Sequence, residues 1–476
     1  MLICRGHFAS SIARPLRRFS TTAAALLRTS ELTSEEWAGL RANSDRLWET
    51  IHSTAQWGTG KAYGHGPWET GLSRLTLSDA DKQVRDWFVS TTRQLSCETY
   101  VDQVGNIFAI RPGCRNDRNV RATFAGSHLD SQPMGGRFDG VLGVAAAVEM
   151  LRVLEENSIE TEGPVGVVNW TNEEGARFPV SMMGSGVWAG RIPLDQCWKV
   201  TEVGGGTRTV REELERIGYL GHLPANHQDG IPMAGHFELH IEQGPKLTKS
   251  GEKVGIVDGV QAYKWLTITV QGRESHTGTT PFNDRADALY WASRLIWEVR
   301  SIAEREGGLA SVGIINAYPG SVNTVPGLVQ LTLDVRHPED GSLKGLMTAI
   351  SQYMSELSKS SGVKGAPPVT ITAHEDFSSN AVKFHPDAMS CVEESAQSVL
   401  GLEEKRIRRI TSGAGHDSVC TNSHCPTAMI FVPCQDGRSH TPEEWTSQAD
   451  CAIGASVLLQ SVLRFDQFRH QRGDFR

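Results

Sequence analysis

The feature that most narrows what this chain can fold into is an alternation. Short, β-rich apolar runs end abruptly in polar, glycine-punctuated segments, and helical stretches separate them. The runs are NIFAI (106–110), RATFAGS (121–127), VGVVNW (165–170) and TAMIFVP (427–433). Residues 33–52, 78–95, 140–156 and 386–400 read as helices, with Thr33 and Ser78 as N-caps and Glu36 and Asp81 three residues on. Strands that alternate with helices predict an α/β fold: a mixed, mainly parallel sheet flanked by helices. Near residue 258 the pattern changes. YKWLTITVQG (263–272) alternates with period two, a helix opened by Asp284 runs to 305, and SVGIINAYPG and VQLTLDVRH are strand-like. A helix over about 341–361 and the strand PPVTITAHE complete a β-α-β-β-α-β order, that of a ferredoxin-like α+β unit. The chain therefore divides into 1–30, a first α/β segment 31–258, an inserted subdomain 259–373 and a second α/β segment 374–476.

Residues 1–30 hold no Asp or Glu, carry Arg5, Arg14, Arg17, Arg18 and Arg28, and are rich in Ser, Thr and Ala. This is the signature of an organelle leader, and RRFS (17–20) resembles a mitochondrial processing site, so the expected location is the mitochondrial matrix. The net charge of -8 gives no broad basic face for nucleic acid, and no apolar run reaches the ~18 residues a membrane-spanning helix needs. Nine cysteines without a CxxC fit reduced thiols rather than a disulfide framework. Cys420, His424 and Cys425 lack a second paired element and read as buried or loop thiols, not as a zinc site.

The chemistry-bearing residues sit just past the apolar runs, where α/β sheets hold ligands. In GSHLDSQPMGGRFDG (126–140), His128 and Asp130 share a strand face, so that one can bind a metal while the other steadies it; a glycine turn returns Asp139. In TNEEGARF (171–178), Glu173 and Glu174 cannot point the same way; one can ligate a cation while the other carries a proton. In GHFELHIEQGP (235–245), His236, Glu238, His240 and Glu242 fall on one face, costly to bury unless paired or metal-bound. SGAGHDS (412–418) and GRSHTPEEW (437–445) add His416 and His440. Scattered nitrogen and oxygen donors, without thiolate, suit a hydrolytic site for zinc, manganese or cobalt. HExxH, GxSxG, P-loop and GxGxxG patterns are all missing from the sequence.

These motifs, together with GRESHTGTTPFNDRADA (272–288), resemble in order the amidase/hydantoinase/carbamoylase branch of the aminoacylase and carboxypeptidase-like dinuclear metallohydrolases. The likeness runs from about residue 45 to 465. It implies two divalent ions per subunit, zinc first with manganese or cobalt as alternatives. His128, Asp139 and His240 would hold one ion; Asp139, Glu174 and His440 the other. Asp130 would orient His128, and Glu173 would be the general base. His276 would reach the oxyanion from the lid of a partner subunit. Asn323 and Arg336 would bind the substrate carboxylate, and Gln243 and His416 would line the pocket. The implied reaction releases ammonia and carbon dioxide from an N-carbamoyl-L-amino acid or N-carbamoyl-β-alanine. Allantoate or ureidoglycolate hydrolysis is the alternative, as is an aminoacylase or dipeptidase of the same clan. The inserted subdomain would be a lid that pairs two copies into a homodimer.

Overall fold

The computed structural model describes residues 27–115, 120–359, 366–401 and 406–475. Among these, a nine-stranded sheet forms the body. Its order is Val382–Lys383, Val254–Val260, Thr427–Val432, Met233–Ile241, Ala122–His128, Val165–Trp170, Ile107–Arg111, Glu98–Val101, with Ile407–Ser412 paired to Val254–Val260 off this path. The four strands Thr427–Val432, Met233–Ile241, Ala122–His128 and Val165–Trp170 are mutually parallel, and the flanking pairs are mostly antiparallel. This is the mixed, mainly parallel α/β sheet that the alternation predicts. The parallel strands are buried along almost their whole length, which explains why they read as unbroken apolar runs. Helices Val141–Glu156 and Gln448–Arg472 pack against them in one continuous core.

The inserted unit is an antiparallel sheet ordered Leu309–Ser311, Leu328–His337, Ala262–Gln271, Thr370–Ser379, with Ile315–Tyr318 continuing the first edge. Helices Ala288–Arg305 and Asp340–Lys359 cover one face. Taking 309–318 as one interrupted strand, the spatial order is second, third, first, fourth, as a ferredoxin-like unit requires. The body sheet keeps Val254–Val260, and the inserted sheet runs from Ala262 to Ser379.

Local chemistry moves several boundaries. The helix expected over 33–52 is two, Ser34–Gly39 and Ser44–Thr54, because the Asn43 side chain accepts the Arg46 N–H and restarts the helix. The first helix of the inserted unit starts at Ala288, capped by Asp287; Asp284 lies in a preceding 3-10 turn. Residues 1–26 of the expected leader lie outside the described residues. Leu27 and Arg28, inside the expected leader, pair with Ile159 and Glu160, and the Thr29 hydroxyl donates to buried Asp466 at 2.7 Å. No helix among the described residues is long and apolar enough to cross a membrane. The eight described cysteines are free.

Candidate active site

The parallel strands end at one edge of the sheet, and their C-terminal turns deliver the site. His128 closes its strand beside Trp170; Glu173 and Glu174 follow Trp170; His240 is paired with Phe431, whose strand leads to His440. Three non-glycine residues in these turns, Asn172, Gln243 and His440, have φ of 56°, 57° and 56°. Left-handed backbone costs about 1–2 kcal/mol at such residues, and the surroundings must hold it. Around Asn172 they do so through its side-chain amide, which donates to the carbonyls of Phe178 and Val180.

Asp139 lies at the centre. Its Oδ1 is 3.0 Å from His240 Nε2 and 3.6 Å from His128 Nε2; its Oδ2 is 3.4 Å from His440 Nε2. Glu174 Oε2 is 3.5 Å from the same His440 nitrogen. The potential donor atoms thus fall into two triplets that share Asp139: His128, Asp139, His240 and Asp139, Glu174, His440. Three of these four separations are too long for a hydrogen bond. They suit neighbouring donors around one tetrahedral ion with bonds near 2.0–2.1 Å, about 3.3–3.4 Å apart. The tautomers agree. His128 Nδ1 donates to the Asp130 carbonyl at 3.0 Å and His240 Nδ1 to the Ile241 carbonyl at 2.9 Å, leaving both Nε2 lone pairs facing inward. Gly140, at φ 66°, packs so close that a Cβ there would lie 2.4 Å from the His128 ring.

Electrostatics point the same way. Burial raises Glu173 well above the usual carboxylate range, and it raises Glu174 to about 7. Burial also opposes ionisation of Asp139, yet His240, His128 and His440 hold it well below its ordinary value. The facing Asp139 carboxylate lifts His440 to about 9. A buried set of carboxylates and imidazoles that must borrow protons to stay neutral has the donor chemistry of a divalent cation site.

The other expected residues distribute unevenly. Asp130 hydrogen-bonds His128 through its backbone carbonyl; its carboxylate, 3.8 Å from His128 Nδ1, accepts the N–H groups of Glu173 and Glu174 at 3.3 Å. Gln243 donates to Asp139 Oδ2 at 2.8 Å. His416 is buried beside His240, with ring centroids 4.6 Å apart, and burial lowers it to about 3, so it is neutral. Arg336 lines the same cavity of about 180 Å³ as Glu173, Glu174, His240 and His440. His276 and Asn323 sit on the small pair Ser275–His276 and Thr324–Val325, joined by the bond from Thr277 N–H to the Asn323 carbonyl; both are exposed and neither lines that cavity. His236, Glu238 and Glu242 stay out of the cluster. Glu238 accepts from Ser127 and Ser418, His236 faces Ser418 and Thr421, and Glu242 caps the turn at Lys246 and Leu247.

Three residues at the site went unread in the sequence. The Gln132 amide donates to Glu174 at 2.8 Å, the Ser439 hydroxyl oxygen lies 3.1 Å from Asp139 Oδ2, and the buried Glu444 accepts from the loop of Asp139. Only Glu444 left a trace: in adjacent Glu443 and Glu444, as in Glu173 and Glu174, the two side chains must diverge. Arg74 supports the site from behind, donating to the carbonyls of Leu129, Thr54 and Trp57.

Such a site, on the carboxyl edge of a parallel sheet, suits hydrolytic chemistry. The model of peptidase family M20/M25/M40 matches residues 124–464. N-carbamoyl-L-amino-acid amidohydrolase from Rhizobium meliloti is 36% identical over 425 residues, covering 89% of this chain and 96% of that protein. Ureidoglycolate hydrolase from Oryza sativa subsp. japonica is 31% identical over 399 residues, covering 83% and 80%. The crystal structure of an amidase of the hydantoinase/carbamoylase family from Burkholderia multivorans superposes with a TM-score of 0.80 at 37% identity, covering 90% of this chain and 98% of that one. The chain belongs to peptidase family M20/M25/M40, on the amidohydrolase side that the six motifs resemble.

Proposed function

We propose that the protein hydrolyses the carbamoyl C–N bond of an N-carbamoyl-L-amino acid, releasing ammonia and carbon dioxide. The observation that carries this reading is one cavity in which two donor triplets sharing Asp139, the buried Glu173 and Arg336 stand together. Two divalent cations, zinc first and manganese or cobalt as alternatives, would lower the pKa of a water and polarise the ureido carbonyl when bound. Glu173, 3.7 Å from His128 Nε2, would take the proton of the attacking water and return it to the departing nitrogen. Arg336 is held by Asp334 through Nε and Nη2 and by the Gly413 carbonyl through Nη1. One N–H remains on each terminal nitrogen, enough to grip the substrate carboxylate in bidentate fashion.

Beside Arg336 the open face of the lid sheet is aromatic. The Arg336 guanidinium lies 5.0 Å over Tyr263, and Tyr263, Trp265 and Phe377 have ring centroids 5.5–5.6 Å apart. A strand irregularity after Trp265 sets Phe377 directly opposite it. This wall favours an α-amino acid with an apolar side chain over N-carbamoyl-β-alanine, which has none. The rice relative, a ureidoglycolate hydrolase, supports ureidoglycolate as the alternative substrate, and allantoate is tested beside it. Ammonia release across these substrates is the test. We expect N-carbamoyl-L-phenylalanine or -leucine to exceed N-carbamoyl-β-alanine at least ~10-fold in kcat/KM, the scale of a filled apolar pocket. Chelation should abolish turnover and zinc, manganese or cobalt restore it. Hydrolysis of dipeptides or N-acetyl amino acids, with no ammonia from any ureido acid, would reverse the reading.

The lid also supports a homodimer. Trp297 and Tyr290 on its outer helix are 70% and 49% exposed, and Leu309 and Ile315 on its edge strand are 64% and 47% exposed. An apolar face of this kind calls for a partner, and a second copy would bring His276 and Asn323 to the other cavity. Co-expression of two inactive variants, His276→Ala and Glu173→Ala, should regain up to about a quarter of wild-type activity, as random pairing allows. Recovery of none would count against a shared site. For residues 1–30 the reading is a mitochondrial leader, checked by where a fusion of that segment to a fluorescent protein localises; a diffuse cytosolic signal would remove it.

A further inference from the structure

We propose that Glu444 is a positioning residue that keeps the two ligand triplets in register, an inference that rests on the dinuclear reading above. Its side chain is 1% exposed. Oε1 accepts the backbone N–H groups of Phe138 and Asp139 at 3.1 and 3.0 Å, and Oε2 accepts the Ser439 hydroxyl at 2.8 Å. Ser439 immediately precedes His440, and its hydroxyl also lies 3.1 Å from Asp139 Oδ2. One carboxylate therefore joins the main chain of the shared ligand to the loop that presents His440, two segments 300 residues apart in the sequence.

The surroundings are shaped for this clamp. A Cβ on Gly136 would lie 2.2 Å from Glu444 Cβ and 2.3 Å from Oε1, so the glycine leaves the space that lets Glu444 reach the Asp139 turn. His440 carries the left-handed φ of 56°, a conformation its loop must enforce. The loop is closed by the bond from Gln435 N–H to the Trp445 carbonyl, and Trp445 packs against Trp48 and Phe138. Glu443 turns outward to pair with Arg438, leaving Glu444 alone to serve the interior. Without the clamp, Asp139 and the His440 loop lose their common anchor, and the triplet containing Glu174 and His440 loosens first, because His440 is half exposed.

The test is cation binding by the full-length protein, stripped with chelator and titrated with Zn2+ by calorimetry and with Co2+ by visible absorption. Partners that hold metal ligands are worth about 10–100-fold in affinity, and Glu444→Ala should weaken one of two sites by that factor. Glu444→Gln should stay within about threefold of wild type, because its amide oxygen still accepts both N–H groups. Ser439→Ala, which removes the link from Glu444 to the His440 loop together with the hydroxyl's contacts to Asp139 and Gln243, should weaken the same site with little change in Tm. A cavity variant in the neighbouring core, Val148→Ala, should lower Tm and leave both sites intact. Titration of Glu444→Ala and Ser439→Ala like wild type would overturn the proposal, as would equal weakening in Val148→Ala or failure of Glu444→Gln to rescue. A wild-type chain that takes up neither cation would overturn the dinuclear reading itself.

Discussion

Replacing Asp139 by alanine is expected to strip both cations and to lower activity by more than about 10³-fold, some 4 kcal/mol of transition-state stabilisation. The expectation follows from how its oxygens divide: Oδ1 faces His128 and His240, and Oδ2 faces His440. Loss of any one of the three histidines would leave one triplet whole, whereas loss of Asp139 leaves each with two donors. Elemental analysis reads the metal content. Thermal unfolding gives a second readout, because a cation at ~100 times its Kd should stabilise the wild-type chain by about 2.7 kcal/mol and the variant hardly at all. A variant that still holds two ions would contradict the shared-ligand geometry.

Glu173→Gln should behave differently. We expect kcat to fall by about 10²–10⁴-fold, the span attributed to a positioned acid or base, while metal content and KM change little. Glutamine keeps the shape and the buried hydrogen-bonding capacity but cannot take a proton. Burial raises the proton affinity of Glu173, as suits a group that must collect a proton from water and release it to a leaving nitrogen. Its neighbour Glu174 is steered the other way, receiving the Gln132 amide and facing His440. The diagnostic contrast is an inactive enzyme with its metals intact, against the metal-free Asp139→Ala protein. Retained activity in Glu173→Gln would move the base elsewhere.

Much of this molecule is written in local pattern. Apolar runs bounded by turn residues become the parallel strands because a strand buried on both faces needs no polar alternation. The polar motifs lie where those runs stop, so their place at the carboxyl edge is legible from order alone, and so is the change of period at the lid. The division of labour within each motif is another matter. Period-two spacing put His236, Glu238, His240 and Glu242 on one face, but only His240 reaches Asp139; the others are satisfied by Ser127, Ser418, Thr421 and the turn at Lys246. Asp130 looked like the carboxylate behind His128, yet that ring donates to its carbonyl, and the carboxylate caps the chain at Glu173 and Glu174. Sequence spacing sets which face a residue occupies. Which of the faced residues meet depends on left-handed turns at Asn172, Gln243 and His440 and on contacts as distant as Ser439 to Asp139. Those distances are decided by close packing of whole strands and loops, which no short window of sequence contains.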